Sequence, residues 1–462
     1  MQTKSLPRSE YISAKLIVIT LAVFINLIVA FNAVLHDPFV GYDADGHLDY
    51  MVTMALHLPT EAESGEYFSP PLPYFLPSLA FQACELDTIT CKFIAGKLAQ
   101  FINLLLSIFV TILLIKINDL ASPGNRYLQI STLILLATLT VYYKTFTQVR
   151  GEPYLCFFAT ASIYFGMKLV FAGNSSPKPL DVLYLGVTLG GLALSRQWGF
   201  LLFLAYIWVA LIILINNKKA GGRFSKSILL AFSIAFAVSS WFYFGLYHRF
   251  GSFTPFSTEA RSFSFSNQPI SFYRNLGISS FLLFRTPTRT TFDNQFIPLF
   301  YSDTWGDYWG YFTFIRGDPL YRHLGNKAEI TPYLGRVNAV SILPSLIFAV
   351  SMVMGLIYTI KSLTKKSGNV ESILVVLLFL MVSISLIGYL WFLIKYPLPR
   401  GLTIKATYMI QIYLALALLG GILLEKIRLQ KHFLYKVILG LLAVVIAHNL
   451  PAMITRYWWF LR

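Results

Sequence analysis

The stretch "LIVITLAVFINLIVAFNAVL", residues 16–35, decides the fold class, because it contains no charged residue. A helix needs about 20 such residues to cross the hydrocarbon of a bilayer. Similar stretches recur along the chain, which is 56% hydrophobic and only 13% charged. Barrel strands would instead alternate in hydropathy. The sequence therefore predicts an all-α polytopic membrane protein.

About eleven stretches are predicted to span the membrane. They are residues 12–34, 92–117, 127–143, 153–171, 181–195, 198–215, 227–247, 337–360, 371–394, 406–424 and 434–450. The first is predicted to be retained, because it is longer than a signal-peptide core and no cleavage site of small residues follows it.

Clusters of lysine and arginine predict the orientation. They occur at the N-terminus and in the short connections at 216–226, 361–366 and 426–431. Because cytoplasmic loops are enriched in these residues, we place the N-terminus in the cytoplasm and the tail, 451–462, outside. The net charge of +16 follows this topology, so no nucleic-acid partner is predicted.

Two long connections then lie on the outer side. Residues 35–91 have no lysine or arginine and hold nine of the chain's 21 acidic residues, which is more than topology requires. Residues 248–336 are rich in aromatic side chains, which favour a membrane interface or a saccharide groove. We predict one domain over 1–450, with an N-terminal module at 1–247 and C-terminal helices at 337–450.

The first outer loop contains "GYDADGHLDY", residues 41–50. Asp43 and Asp45 precede a short apolar-periodic segment, where an aspartate commonly caps a helix on the membrane surface. Asp43 and His47 are four positions apart, so a helix would place them on one face. Either a general base or a metal could use such a face.

Cysteine usage leaves one question open. Cys84 and Cys91 bracket "ELDTIT" in the first outer loop, and Cys156 is the third cysteine. One bridge and two unpaired thiols are equally compatible with this spacing.

The acidic pair is followed by "PPLPY", residues 70–74. This arrangement resembles the GT-C superfamily of membrane glycosyltransferases, in particular the branch of protein O-mannosyltransferases and lipid A aminoarabinose transferases. The resemblance implies juxtamembrane helices in the first outer loop, a sugar donor on a polyprenyl phosphate, and Asp43 or Asp45 as the catalytic acid. Tyr74 matches the proline turn. Ser69 stands where the aminoarabinose transferases have lysine, which argues against that specificity.

The resemblance also demands cations near the outer helix ends to hold the donor phosphate. Arg150, Arg196, Arg400 and Lys405 lie in predicted outer hairpins, where positive charge is otherwise avoided. Arg150 has Glu152 beside it, whereas Arg196 has no acid in its own loop. We predict that Lys405 contacts the phosphate.

The remaining candidates are assigned to substrate. Glu66 precedes the proline turn, and Asp303 and Asp307 lie in "YSDTWGDYWGYF"; with Tyr74, they are predicted to contact sugar or acceptor. No cofactor is predicted as a requirement. A divalent Mg²⁺ or Mn²⁺ held by His47 with Asp43 or Asp45 is the alternative.

We therefore predict an inverting glycosyltransferase of the plasma (inner) membrane that works at its outer face. It would move a hexosyl or pentosyl group from a polyprenyl-phosphate donor to a saccharide, lipid or protein acceptor. The competing hypothesis is a secondary transporter with an acidic outer vestibule, although the sequence has no inverted repeat typical of that class.

Overall fold

The chain is seen in a computed structural model that describes residues 8–172, 177–276, 285, 287–313, 327–364 and 370–456. Within these ranges the structure is helical and contains no strand, which confirms the predicted fold class. The helices are α1 Arg8–Leu35, α2 Ala44–Met54, α3 Leu72–Gln82, α4 Thr88–Ala121, α5 Arg126–Ala137, α6 Thr140–Thr147, α7 Glu152–Ala172, α8 Pro179–Ala193, α9 Leu201–Asn216, α10 Lys218–Phe250, α11 Ile270–Arg274, α12 Phe296–Trp305, α13 Lys327–Val340, α14 Ile342–Thr364, α15 Val370–Lys395, α16 Ile410–Gln430 and α17 His432–Met453.

Nine helical stretches in this described part are long and apolar enough to cross a bilayer, so the chain is a multi-pass membrane protein. Each of the eleven predicted spans falls on a helix, but two differ from simple spans. The third comprises α5 and α6, which meet at a bend of 68°. The fifth is α8, a shorter apolar helix than the others.

The bend directs α6 into the protein interior. Every residue of α6 is buried, including Lys144. The Thr138 hydroxyl, at the end of α5, donates to the carbonyl of Leu135 at 2.7 Å. A broken helix at membrane depth is tolerated because the surrounding protein satisfies its backbone.

Helix α16 forms the centre of the bundle and packs against α5, α14, α15 and α17. Gly421 allows the closest approach to α5, because a Cβ atom there would lie 2.3 Å from the Thr132 hydroxyl oxygen. Small residues at helix contacts are typical of membrane bundles. This central helix fixes the segment that precedes it, residues 395–409, against the outer loops.

The first long connection folds as two short helices, α2 and α3, before α4 begins. Helix α3 starts directly after Pro70 and Pro71, which provide the fixed φ favoured at a helix start. A disulfide joins Cys84 to Cys91 and thereby ties the end of α3 to the first turn of α4. The open question of these two thiols is settled in favour of a bridge.

The bridge makes a testable prediction. If the denatured, non-reduced protein is alkylated, only Cys156 should react, whereas reduction should expose all three thiols. The paired substitution Cys84→Ser and Cys91→Ser is expected to lower the free energy of unfolding by about 2 kcal/mol, since it opens a short loop. Mass spectrometry of the alkylated peptides checks the pairing, and labelling of Cys84 without reductant would contradict it.

The chain after α17 returns to the first outer connection. Arg456 donates to Asp37 at 3.2 Å, and the Thr455 hydroxyl lies 2.6 Å from His36 Nδ1. Residues 453–456 therefore lie on the same side of the bundle as α2 and α3. The rest of the predicted outer tail, 457–462, lies outside the described residues, as do 277–284, 286 and 314–326 of the predicted aromatic loop.

Candidate functional site

Two of the predicted site residues, Asp43 and Lys405, form an ion pair. Asp43 precedes α2 in a left-handed conformation (φ 56°), and its side chain makes no capping hydrogen bond. Lys405 comes immediately before the last turn that leads into α16. The Asp43 side chain is 44% exposed and that of Lys405 is 11% exposed. Asp43 is thus an accessible carboxylate beside a sheltered ammonium group.

Partial burial alone would raise the pKa of Asp43. The ammonium group of Lys405 opposes this effect and, with a further contribution from Arg150, lowers the pKa of Asp43 well below its usual value. The carboxylate is therefore ionised in the folded protein at any physiological pH.

A second, largely buried charge network adjoins this pair. Arg150 donates two hydrogen bonds to Glu152, at 2.6 and 2.7 Å. Arg196 donates to the same carboxylate at 2.9 Å and to Glu66 at 3.1 Å. Ser69 donates to Glu66 at 2.5 Å and accepts from Arg196 at 2.8 Å. Glu152 is the shared anion of both arginines.

This network gives Arg196 partners that its own loop does not contain. Arg196 has no acid in its own loop, but its partners come from α7 and from the segment before α3. Bidentate arginine–carboxylate pairs of this kind are strong and geometrically fixed. Arg150 and Arg196 are therefore paired with internal carboxylates, and contact of either arginine with a donor phosphate stays a prediction. Sequence reasoning identified Glu152 only as a local partner of Arg150.

Aromatic rings connect the two groups of charges. The guanidinium of Arg150 lies over the rings of Tyr42 and Tyr408, at 5.4 and 5.5 Å. The Lys405 ammonium lies over the same two rings, at 5.4 and 5.3 Å. Such contacts favour a cation in a sheltered place. Neither tyrosine was among the predicted site residues.

The side chain of His47 contacts the buried network. Its Nδ1 lies 2.8 Å from the Tyr74 hydroxyl and 3.8 Å from Glu66, and its Nε2 lies 3.5 Å from Arg196. Burial lowers its pKa to about 4, against a smaller opposite effect of Glu66. His47 and Tyr74 therefore support the network as neutral groups.

The buried histidine predicts a pH dependence of stability. An unfolded histidine takes up its proton near pH 6.5, whereas folded His47 does so only near pH 4. The free energy of unfolding should be constant above about pH 6.5 and should fall by up to about 3 kcal/mol towards pH 4. His36, whose pKa burial also lowers to about 4, adds to the same slope.

Thermal unfolding midpoints in detergent, measured from pH 7.5 to 4.5, check this pH dependence of stability. His47→Gln should flatten the decrease, and His57→Gln, at an exposed position, should leave it unchanged. An unchanged slope in His47→Gln would contradict the assignment of the pH dependence to His47.

The structure buries Asp303 and Asp307 and gives both of them protein partners. Asp303 accepts from Lys144 at 2.5 Å, from the Tyr42 hydroxyl at 2.7 Å and from the backbone of Ala406 at 2.7 Å. Asp307 accepts from the backbone amides of the three residues 311–313. These contacts fix the backbone around the site; contact of either carboxylate with a substrate stays a prediction. Sequence reasoning missed Lys144. Its position directly after an apolar run was the signal that could have identified it.

Two other predicted residues lie apart from the charge network. The side chain of Arg400 is 65% exposed and lies 3.9 Å from Asp293. Asp45 is exposed in the first turn of α2. The structure therefore does not bring either residue into contact with Lys405 or with the arginine network.

Two cavities adjoin the charge network. One, of about 590 Å³, is mainly apolar; α9 and α15 contribute much of its lining, including Leu204, Ile387 and Trp391. The other, of about 460 Å³, is lined by Asp43, Lys405 and Trp309 among others. Both volumes lie in the range of ligand sites.

The two cavities share part of their lining. Phe256 and Tyr408 line both, and Arg196 reaches the apolar cavity from the buried network. The site can thus accommodate a molecule that has an apolar portion and a polar head, with Tyr408 at the junction.

A divalent metal has limited support from these side chains. Among the described residues, no group of three histidine, cysteine, aspartate or glutamate side chains is arranged to hold a metal ion. His47 faces Tyr74 and Arg196 rather than Asp43 or Asp45. A metal on these residues stays a prediction.

No family model and no curated protein matches the chain. Two solved structures of an oligosaccharyltransferase from Archaeoglobus fulgidus are similar to it, one in complex with Zn and sulfate and one in the apo form. The TM-score is 0.48 for each, with 13% and 11% identity over 94% and 97% of this chain.

The aligned regions cover 53% and 56% of the archaeal chains, so this chain spans about half their length.

Proposed function

We propose that the protein is a membrane glycosyltransferase of the GT-C type, which moves a sugar from a polyprenyl-phosphate donor to an acceptor hydroxyl at the non-cytoplasmic face. The observation that carries the proposal is the pair of adjoining cavities, one apolar and one containing Asp43 and Lys405, which share Tyr408. A lipid-linked sugar has the same division into an apolar chain and a polar head.

The apolar cavity suits the polyprenyl chain. It lies between α9 and α15, where Leu204 and Ile387 are themselves exposed to the surroundings of the bundle. A lipid could therefore enter from the side of the bundle without leaving the membrane. Burial of each CH₂ group contributes about 0.8 kcal/mol to binding.

The polar cavity suits the sugar and the acceptor. Trp309 and Tyr408 offer aromatic faces, and Asp43 offers an ionised carboxylate. In the proposed step the acceptor oxygen attacks the anomeric carbon while the bond from that carbon to the phosphate oxygen breaks. The proton of the acceptor hydroxyl passes to Asp43, and the phosphate leaves with the bonding electron pair beside Lys405.

Two features support a location at the outer face. The bridge between Cys84 and Cys91 lies on the same side of the bundle as Asp43, and disulfides persist in oxidising compartments. The helix ends that flank the lysine-rich and arginine-rich connections meet on the opposite side, since Asn216 at the end of α9 donates to Ser362 of α14 and Lys426 of α16 pairs with Glu371 of α15. The positive-inside rule favours this side as the cytoplasmic face.

The proposal is tested with membranes that contain the protein and a panel of polyprenyl-phosphate sugars carrying a radiolabel in the sugar. Wild-type protein should consume at least one donor and transfer the label to an endogenous or added acceptor. Membranes without the protein provide the background. If no donor in a panel of hexoses and pentoses is consumed above that background, the proposed function is wrong.

A further inference from the structure

The charged side chains of the Asp43–Lys405 pair and of the buried network balance one another. Three carboxylates and three cations belong to the two adjoining groups, and the exposure of their side chains is 11% or less except at Asp43, with 44%. They are Asp43, Glu66, Glu152, Arg150, Arg196 and Lys405. A donor phosphate would add negative charge to this sheltered, neutral set, which is costly without a cation to pair with it.

The buried arginines are poorly suited to supply that cation. Arg150 and Arg196 both bond to Glu152, whose side chain is fully buried. If either arginine turned to a phosphate, Glu152 would lose a partner without gaining water. Such an uncompensated buried charge costs several kcal/mol.

Lys405 differs because its partner is accessible to water. The Asp43 carboxylate is close to half exposed, so water can replace the ammonium group at little cost. The Asp43 side chain makes no capping hydrogen bond to α2 that would hold it in place. The ammonium group has a second support, since it lies over the rings of Tyr42 and Tyr408 and 3.3 Å from the Tyr408 hydroxyl.

We propose that the donor phosphate displaces Asp43 from Lys405, so that donor binding itself releases the carboxylate that accepts the acceptor's proton. This inference rests on the proposed function and adds an order of events to it. Before the donor binds, the ion pair with Lys405 keeps Asp43 from accepting a proton. After binding, Lys405 pairs with the phosphate and Asp43 is free for the acceptor.

The exchange can be followed by the reactivity of Asp43. A water-soluble carbodiimide couples an amine tag to a carboxyl group through the protonated form of that carboxyl group. The ion pair with Lys405 keeps the pKa of Asp43 low, so this form is rare before the donor binds. Purified protein in nanodiscs would be labelled near pH 6 with and without saturating farnesyl phosphate. Labelling of Asp43, measured by peptide mass spectrometry, should rise by about fivefold or more, because the pKa of this carboxyl group rises when its ammonium partner pairs with the phosphate.

Three comparisons make the result specific. Lys405→Met should label Asp43 strongly without ligand and show no further rise. Lys92→Met breaks the 2.6 Å pair with Asp49, another carboxylate of the same cavity, and should keep the wild-type response at Asp43. Farnesol, which has the apolar chain without the phosphate, should leave labelling at its basal value.

Binding of radiolabelled farnesyl phosphate is measured in parallel. If wild-type protein binds it but labelling of Asp43 does not rise, or if farnesol raises labelling equally, the exchange is wrong and the proposed function stands. If Lys405→Met binds it as tightly as wild type, the exchange is also wrong. If wild-type protein does not bind it, the proposed function itself fails.

Discussion

Replacing Asp43 with asparagine is expected to lower sugar transfer at saturating donor by about 10²- to 10⁴-fold, the range typical of a lost general base. The amide keeps the size of the side chain and its position before α2, but it cannot accept the acceptor's proton. The initial rate of label transfer in membranes measures the effect, and immunoblotting confirms equal amounts of protein.

Asp45→Asn is the matched control, because Asp45 is also exposed and lies two residues further along, in the first turn of α2. The sequence left the two aspartates as alternatives for the base. Only Asp43 lies beside Lys405 and lines the polar cavity, so Asp45→Asn should retain activity within about threefold of wild type. A larger loss in Asp45→Asn than in Asp43→Asn would reverse the assignment.

The fold class could be predicted because its cause is local. Uncharged runs such as residues 16–35 must cross the bilayer as helices, and no distant contact is needed to recognise them. The bend between α5 and α6 is different, since it depends on what surrounds Lys144 in the folded bundle. Lys144 is stabilised by Asp303, 159 positions away, and no window of sequence contains both residues.

The candidate site was predicted only in part for the same reason. The excess of acids in residues 35–91 and of cations near outer helix ends is visible in the sequence. Their pairing is not, because Lys405 and Asp43 are 362 positions apart and Arg196 and Glu66 are 130 apart. Helical periodicity placed His47 with Asp43, whereas tertiary packing turned His47 towards Tyr74.

The burial of each group is likewise set by tertiary contacts. Glu152 follows Arg150 closely in sequence and has the pattern of a local surface pair, which would contribute at most about 1 kcal/mol. In the structure it is fully buried and shared by two arginines. Removal of the Glu152 carboxylate should therefore destabilise the protein much more than removal of the acid from an exposed pair with the same spacing.

Glu152→Gln is expected to lower the free energy of unfolding by about 3–5 kcal/mol, because it leaves two buried guanidinium groups with one carboxylate, Glu66. The neutral amide cannot replace the bidentate contact with Arg150 or the 2.9 Å contact with Arg196. The amount of folded protein after detergent extraction and the midpoint of thermal unfolding measure the loss. Glu371→Gln, which removes a partly exposed partner of Lys426, should cost about 1 kcal/mol or less.

The double variant Arg150→Gln/Glu152→Gln tests whether charge balance or the packing of the side chains stabilises the site. The double variant leaves Arg196 with Glu66 and Lys405 with Asp43, so the sheltered charges are again equal in number. It should therefore be more stable than Glu152→Gln alone, with a coupling free energy of about 1–3 kcal/mol in the double-mutant cycle. If the second substitution instead adds a further loss equal to its own single effect, the two residues do not act as a pair. The stability of the site would then come from packing around α7 rather than from compensation of its charges.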